Sequence, residues 1–405
     1  MFVILMLATV LANAQDTVIP GNLFVAGNIN GNGGGLTNVS GNQIQSIGPS
    51  GTTYIGPRAG NATILNVSNT MIGLNAGLNM IAASNNAAYG VNALQQDTYG
   101  YDNTAIGVGS LQKNTAGNYN TASGYDSLYN NTGNYNTASG YDSLYLNTTG
   151  INNTANGYDS LYYNTTGGQN TANGMYALYS NTTGNNNTAN GMYALYSNTT
   201  GGQNTASGYN SLYNNTGINN TANGYNSLYN NTGINNTANG YDSLYSNTTG
   251  SNNVASGNLA LYSNTTGSQN TANGYYSLYS NTTGSNNVAI GYQALYNSGV
   301  VLNNISSCTF YGYGSTSTNP NLTDAICIGV FTTNNVNHTA VIGSATTTNL
   351  YTPGLATASG FAVGTPTSAI IGWTGIVAGV ITNSVGPHGV NYFYSGGIVT
   401  NVTTF

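Results

Sequence analysis

Small, aliphatic and polar positions recur along this chain on a period of 16 or 17 residues. In Asn236-Thr237-Ala238-Asn239-Gly240-Tyr241-Asp242-Ser243-Leu244-Tyr245-Ser246-Asn247-Thr248-Thr249-Gly250, a polar-small-polar triplet precedes a glycine, a leucine follows, and an Asn-Thr-Thr-Gly turn closes the unit. The alternation predicts a short strand with Ala238 and Gly240 on one face and Thr237 and Asn239 on the other. A second extended stretch is expected beyond the corner at Gly240. Shortening of the turn to Asn-Asn-Thr-Gly in the 16-residue units places the length variation in the loop and leaves strand register intact. About six residues between glycines are too few for a stable helix.

The repeat glycine runs from Gly56 to Gly291 and continues in degenerate units at Gly312, Gly329 and Gly343. This spacing predicts an all-β, parallel β-solenoid of about 18 coils between Gly51 and Gly354, at 16–17 residues per repeat. Alanines two residues before the glycine, such as Ala155, Ala189 and Ala238, leave room only for a thin coil; the column containing Leu161, Leu195 and Leu244 is expected to fill its core. One such coil buries too little to order itself. Rung-to-rung hydrogen bonds, asparagine ladders, tyrosine stacks and contacts with further chains must supply the rest.

Composition narrows the function. Of 405 residues, only Lys113, Arg58 and eight aspartates carry a formal charge. Two cations cannot neutralise a phosphate backbone, which excludes nucleic acid as a partner, and the scarcity of acid/base groups argues against an enzyme. The apolar run Met1–Ala14, ending Ala12-Asn13-Ala14, reads as a secretory signal peptide and predicts an extracellular location. The 21 Asn-x-Ser/Thr sequons, among them Asn130, Asn147, Asn181 and Asn281, fit export, although an Asn- and Thr-rich repeat creates sequons by itself. Residues 15–50 form a Gly/Asn-rich lead-in. Residues 355–405 lose the period and become apolar, as expected of a tip or trimerisation segment; no run there is long enough to cross a bilayer as a helix.

The segments Asn287-Val288-Ala289-Ile290-Gly291-Tyr292-Gln293-Ala294-Leu295, Asn103-Thr104-Ala105-Ile106-Gly107 and Thr339-Ala340-Val341-Ile342-Gly343 resemble the head repeats of trimeric autotransporter adhesins. Similar repeats, and a lead-in similar to Gly27–Val39, occur in fibre proteins of phages and large viruses. The resemblance implies a left-handed parallel β-roll, three identical chains side by side, and a non-enzymatic fibre or adhesin at a cell or virion surface whose partners are host glycans or proteins. Terminal Phe405 is similar to the last residue of the barrel anchors of that family, though no coiled-coil heptads precede it. One departure concerns the residues flanking the repeat alanine, which in the family are apolar and face a neighbouring subunit. Here they are apolar at the ends, as in Tyr54 and Ile55, Met71 and Ile72, Val288 and Ile290, but polar in the middle, as in Thr154 and Asn156. A self-assembling filament subunit and an ice-binding solenoid are the alternative readings, the latter weakened by Asn alternating with Thr on the strand.

Candidate chemistry is sparse. Tyrosines form one column after the glycine, including Tyr125, Tyr141, Tyr158, Tyr209, Tyr225, Tyr241, Tyr275 and Tyr292. A second follows the leucine: Tyr129, Tyr145, Tyr162, Tyr179, Tyr196, Tyr213, Tyr229, Tyr245, Tyr262, Tyr279 and Tyr296. Such ladders either stabilise the stack or offer ring faces to sugars. Asp126, Asp142 and Asp159 should stack on consecutive rungs, as a calcium ladder or as a solvated corner. His338 and His388 stand without a carboxylate or cysteine at ligand spacing, so neither metal nor cofactor is expected. Cys308 and Cys327 lie in neighbouring coils on one face, as a disulfide or as two buried thiols.

Overall fold

The computed structural model describes residues 44–47, 52–60, 68–296, 302–343, 390–395 and 398–404. The leader at 1–14, most of the 15–50 lead-in, His388, Phe405 and all of the 355–405 segment but one hairpin lie outside them. Two units are distinguished, Met1–Thr347 and Thr348–Phe405. In the second, Val390–Ser395 and Ile398–Thr404 pair antiparallel.

The first unit is an all-β parallel solenoid of about 16 turns. Each coil contributes a three-residue strand, from Thr53–Ile55 to Ala340–Ile342. Repeat positions stack on themselves: Thr154 pairs with Thr137 and Thr171, Ala155 with Ala138 and Ala172, and Asn156 with Ser139 and Asn173. Residues 61–67 and 297–301, within the run of eighteen coils predicted from glycine spacing, lie outside the described residues. Ile44–Ile47 runs antiparallel along Thr53–Ile55 and so covers the backbone edge of the first coil.

The second extended stretch is not a strand. Beyond Gly240 (φ 140°) the chain places Asp242 (φ 52°) and Leu244 (φ 51°) in the left-handed region, and the same alternation recurs in nearly every coil. Alternate peptide groups therefore point up and down the stack. Asp142 N–H donates back to Tyr125 O at 3.0 Å, while Leu144 N–H donates forward to Ser160 O at 2.9 Å. This flattens the wall and still satisfies the backbone between rungs. Among the described residues, only Asn214–Asn215 and Asn230–Asn231 pair as a second, two-residue parallel ladder. Among the described residues there is no helix, and none long and apolar enough to cross a membrane.

The alanine and leucine columns are fully buried, as expected. At Gly157 (φ 135°) an added Cβ would stand 2.6 Å from Gly174 O, so neighbouring rungs approach too closely there for any side chain. Tyr54 and Met71 occupy this interior column, Met71 pairing with Ala88 and fully buried. They do not flank the alanine position outward; their partners Ile55 and Ile72 do.

Much of the interior is asparagine. Asn170, immediately before the strand Thr171–Asn173, takes Asn153 Oδ1 on its backbone N–H at 3.0 Å and donates Nδ2 to Gly184 O at 2.8 Å. Across the core, Asn164 Nδ2 donates to Asn147 Oδ1 at 2.7 Å and to its own turn at Gly167 O, 2.9 Å. Both columns are fully or almost fully buried. Each rung supplies the partner that the next rung's amide needs, which makes a polar interior tolerable.

Candidate functional site

The tyrosine columns stand on the two sides of the turn that follows the repeat glycine. In the second column, rings meet nearly parallel from Tyr129–Tyr145 (5.1 Å, 12°) through Tyr179–Tyr196 (5.1 Å, 4°) to Tyr262–Tyr279 (5.2 Å, 7°), and tilt at Tyr279–Tyr296 (5.6 Å, 59°). Tyr162, Tyr213, Tyr229 and Tyr245 continue the stack between them. The first column stacks equally closely where it is unbroken, as in Tyr141–Tyr158 at 5.1 Å and Tyr225–Tyr241 at 5.1 Å. Rings this close cover one another's faces. What both columns offer outward is ring edges and phenol oxygens, with Tyr125 and Tyr241 nearly half exposed, so face stacking on a sugar is confined to the ends of a stack. One such end carries a cation: Lys113 Nζ lies 4.9 Å from the Tyr129 ring centroid.

Where Met175 and Met192 break the first column, the tyrosine moves one residue along. Tyr176 then lies between the columns, edge-on to Tyr158 at 5.6 Å and to Tyr179 at 5.4 Å. Tyr193 does the same with Tyr196 at 5.5 Å. This bridging position, two residues after the glycine, was legible as an aspartate column but not as the floor between two aromatic walls.

Asp126, Asp142 and Asp159 occupy that floor on consecutive coils, all at left-handed backbone positions. Asp142 is pushed up to about 6, first by burial and then by the like charges of Asp159 and Asp126. Burial also raises Asp126 and Asp159. Asp242, further along the column, is raised by burial against the opposing hydrogen bond from Asn226 Nδ2, 3.1 Å away. Oδ1 of Asp142 and of Asp159 is buried without a hydrogen-bond partner. Among the described residues no group of three His, Cys, Asp or Glu is placed to hold a metal ion.

A different aspartate stands inside the core. Asp97 takes the place of an asparagine in the turn column, fully buried, and accepts from Gly100 N–H at 2.9 Å and Asn114 Nδ2 at 3.2 Å. Burial lifts it to about 7 against those two donors.

His338 does have a carboxylate partner: its Nδ1 lies 3.1 Å from Asp324 Oδ2, on the surface. The spacing between Asp324 and His338 concealed this because the coil between them is irregular. Cys308 and Cys327 are free, buried thiols. Cys308 ends the asparagine column, its N–H on Asn287 Oδ1 at 3.1 Å, whereas Cys327 stands in the alanine column opposite Phe310. Burial raises both thiols, Cys327 to about 11, which leaves them poor nucleophiles.

Among the sequons, Asn147, Asn181 and Asn281 belong to the buried turn column, whereas Asn130 is half-buried with Nδ2 on Tyr145 O at 3.2 Å. On the outward face of the strands, Asn156, Asn173 and Asn190 form an exposed amide ladder at 2.8 Å. At the two ends of that face, Ile106 and Ile342 are half exposed. Compared with known proteins, the chain matches no protein-family model and no curated sequence.

Proposed function

We propose that this chain is the shaft or head of an exported, non-enzymatic surface fibre, an adhesin or a virion fibre, assembled as three left-handed β-rolls side by side. The observation that carries the reading is the outward strand column: Ile72, Ile106, Ile290 and Ile342 project from the ends of one face and hydrogen-bonded amides occupy its middle. Three such faces brought together would bury the isoleucines at either end and align the amides between them. The resemblance of Asn287–Leu295 to autotransporter head repeats points the same way. The phenol edges of the tyrosine columns are then the outer surface, suited to hydrogen-bonding glycan hydroxyls or protein carbonyls. Sedimentation equilibrium on the purified chain tests the assembly, with a trimer expected; a monomer overturns it. Loss of binding to host cells or glycan arrays in Tyr141→Ala/Tyr158→Ala tests the surface.

A further inference from the structure

Composition and burial leave this chain one route to a covalent link with another copy of itself. Lys113 is its one amine side chain, so cross-links built on lysine have a single anchor. Cys308 and Cys327 are buried, and burial raises both thiols out of the reactive range. Tyrosine, by contrast, occurs 34 times, and exposure separates its two columns. Tyr141 and Tyr158 of the first are 45% exposed and Tyr241 is 48% exposed, whereas Tyr145, Tyr162 and Tyr229 of the second are half-buried.

The stack decides which rings can join. One-electron oxidation of a phenol, with loss of its proton, leaves unpaired-electron density on the oxygen and on the two ring carbons beside it. Two oxidised rings couple when a carbon of each forms a C–C bond; the hydrogen at each joined carbon then moves to its ring's oxygen and restores the phenol. In all, two tyrosines release two electrons and two protons, which reduce one hydrogen peroxide to two waters. The new bond lies in the plane of both rings, so it needs rings that meet edge to edge. Tyr125 and Tyr141 lie nearly parallel with centroids 5.0 Å apart (7°), as do Tyr141 and Tyr158 at 5.1 Å (9°), and neighbours held face to face in this way cannot couple without leaving the stack. Their outward edges carry the phenol oxygen and the carbons beside it, one edge per coil. We propose that the first tyrosine column is a site of oxidative cross-linking between copies of this chain, in which a peroxide-fed one-electron oxidant joins outward phenols as dityrosine and ties neighbouring solenoids side by side. Two adjacent copies suffice, whatever the number of chains in one assembly.

Oxidation of the purified full chain with hydrogen peroxide and a haem peroxidase tests this. Denaturing electrophoresis should show covalent multimers, and mass spectrometry should place interchain dityrosine at first-column positions such as Tyr141, Tyr158 and Tyr241. Tyr→Phe at the eight first-column positions keeps the rings and removes the phenols; it should lower interchain dityrosine at least twofold. Exposed tyrosines off the columns, such as Tyr135 and Tyr163, supply the remainder. Tyr→Phe at the eleven second-column positions should lower it less, although more phenols are lost. Thermal melts show whether both variants fold; if either does not, the positions mapped in the unmodified chain decide. A chain that sediments as a monomer yet forms interchain dityrosine refutes the trimer and keeps this proposal. Absence of covalent multimers, dityrosine confined to stacked neighbours within one chain, or a larger loss in the folded second-column variant overturns it.

Discussion

Asn164 Nδ2 donates to Asn147 Oδ1 at 2.7 Å, one coil away, with both side chains fully buried. The contact is one link in a column where each amide donates to the coil before it and accepts from the coil after it. Asn181 is the next link, donating to Asn164 Oδ1 at 2.8 Å and to Gly184 O at 3.1 Å. Its own Oδ1 receives Asn198 Nδ2 at 2.9 Å.

Removing such a link strands buried partners on both sides. Asn181→Ala should destabilise the solenoid by about 2–4 kcal/mol, since an unsatisfied buried polar group costs roughly 1–3 kcal/mol. Asn173→Ala, in the exposed ladder, should fall within about 0.5 kcal/mol of wild type. Denaturant melts of the two variants check this, and equal effects would refute the interior placement.

Asp97 makes the stack sensitive to pH. Its carboxyl titrates near 7 when folded and near 3.8 when unfolded, so the folded state holds the proton more tightly. The stability this contributes is fully present below about pH 4 and is lost as pH rises through 7, by up to about 4 kcal/mol at roughly 1.4 per unit. Asp97→Asn keeps the acceptor and has no charge. It should remove this share of the dependence between pH 4 and 8, leaving the part contributed by the raised carboxyls of Asp126, Asp142, Asp159 and Asp242, and raise the melting temperature at pH 8.

Leu195 is buried and sits at φ 53°. Leucine tolerates this poorly and a β-branched residue far worse. Leu195→Ile should therefore cost more than the 1.5 kcal/mol that usually bounds such a swap in a core. Thermal unfolding of Leu195→Ile beside Leu195→Met separates backbone strain from lost volume, with Met expected to be the milder change.

Glycan attachment reads the same interior from outside. Expressed through a compartment that modifies Asn-x-Ser/Thr, folded chains should be unoccupied at Asn147, Asn181 and Asn281, because a glycan there cannot coexist with the turn column. Mass spectrometry of folded and aggregated fractions checks this. Occupancy at Asn181 in the folded fraction would contradict the burial.

The period, the parallel strands and the alanine–leucine core were legible because size and apolarity repeat visibly. The asparagine interior was not. Asn236 and Asn239 are alike in composition, yet Asn236 is buried and Asn239 exposed, and only stacking identical amides in register makes the difference. The bent wall was missed because leucine rarely adopts positive φ, so Tyr241–Tyr245 read as extended. Met71 misled for a related reason: interior positions at the first coils take larger side chains than the alanines above them. The relation between the two tyrosine columns and the aspartate column was hidden as well, since sequence lists the three separately and only the turn after the repeat glycine sets them side by side, as at Tyr158, Tyr176 and Tyr179.

The strand ending has a further consequence, for chemical ageing. Asn156, Asn173, Asn190, Asn223, Asn239 and Asn273 each precede glycine, the pairing at which a flexible chain most readily cyclises to succinimide and deamidates. Here the nitrogen that would attack is already committed: Gly174 N–H bonds Asn156 O at 2.8 Å, and Gly191 N–H bonds Asn173 O at 2.8 Å. The outward amides are bonded along their own ladder as well. Lodged in this way, a sequence dense in labile bonds becomes a slow-ageing material, and deamidation becomes a marker of coils that have come apart.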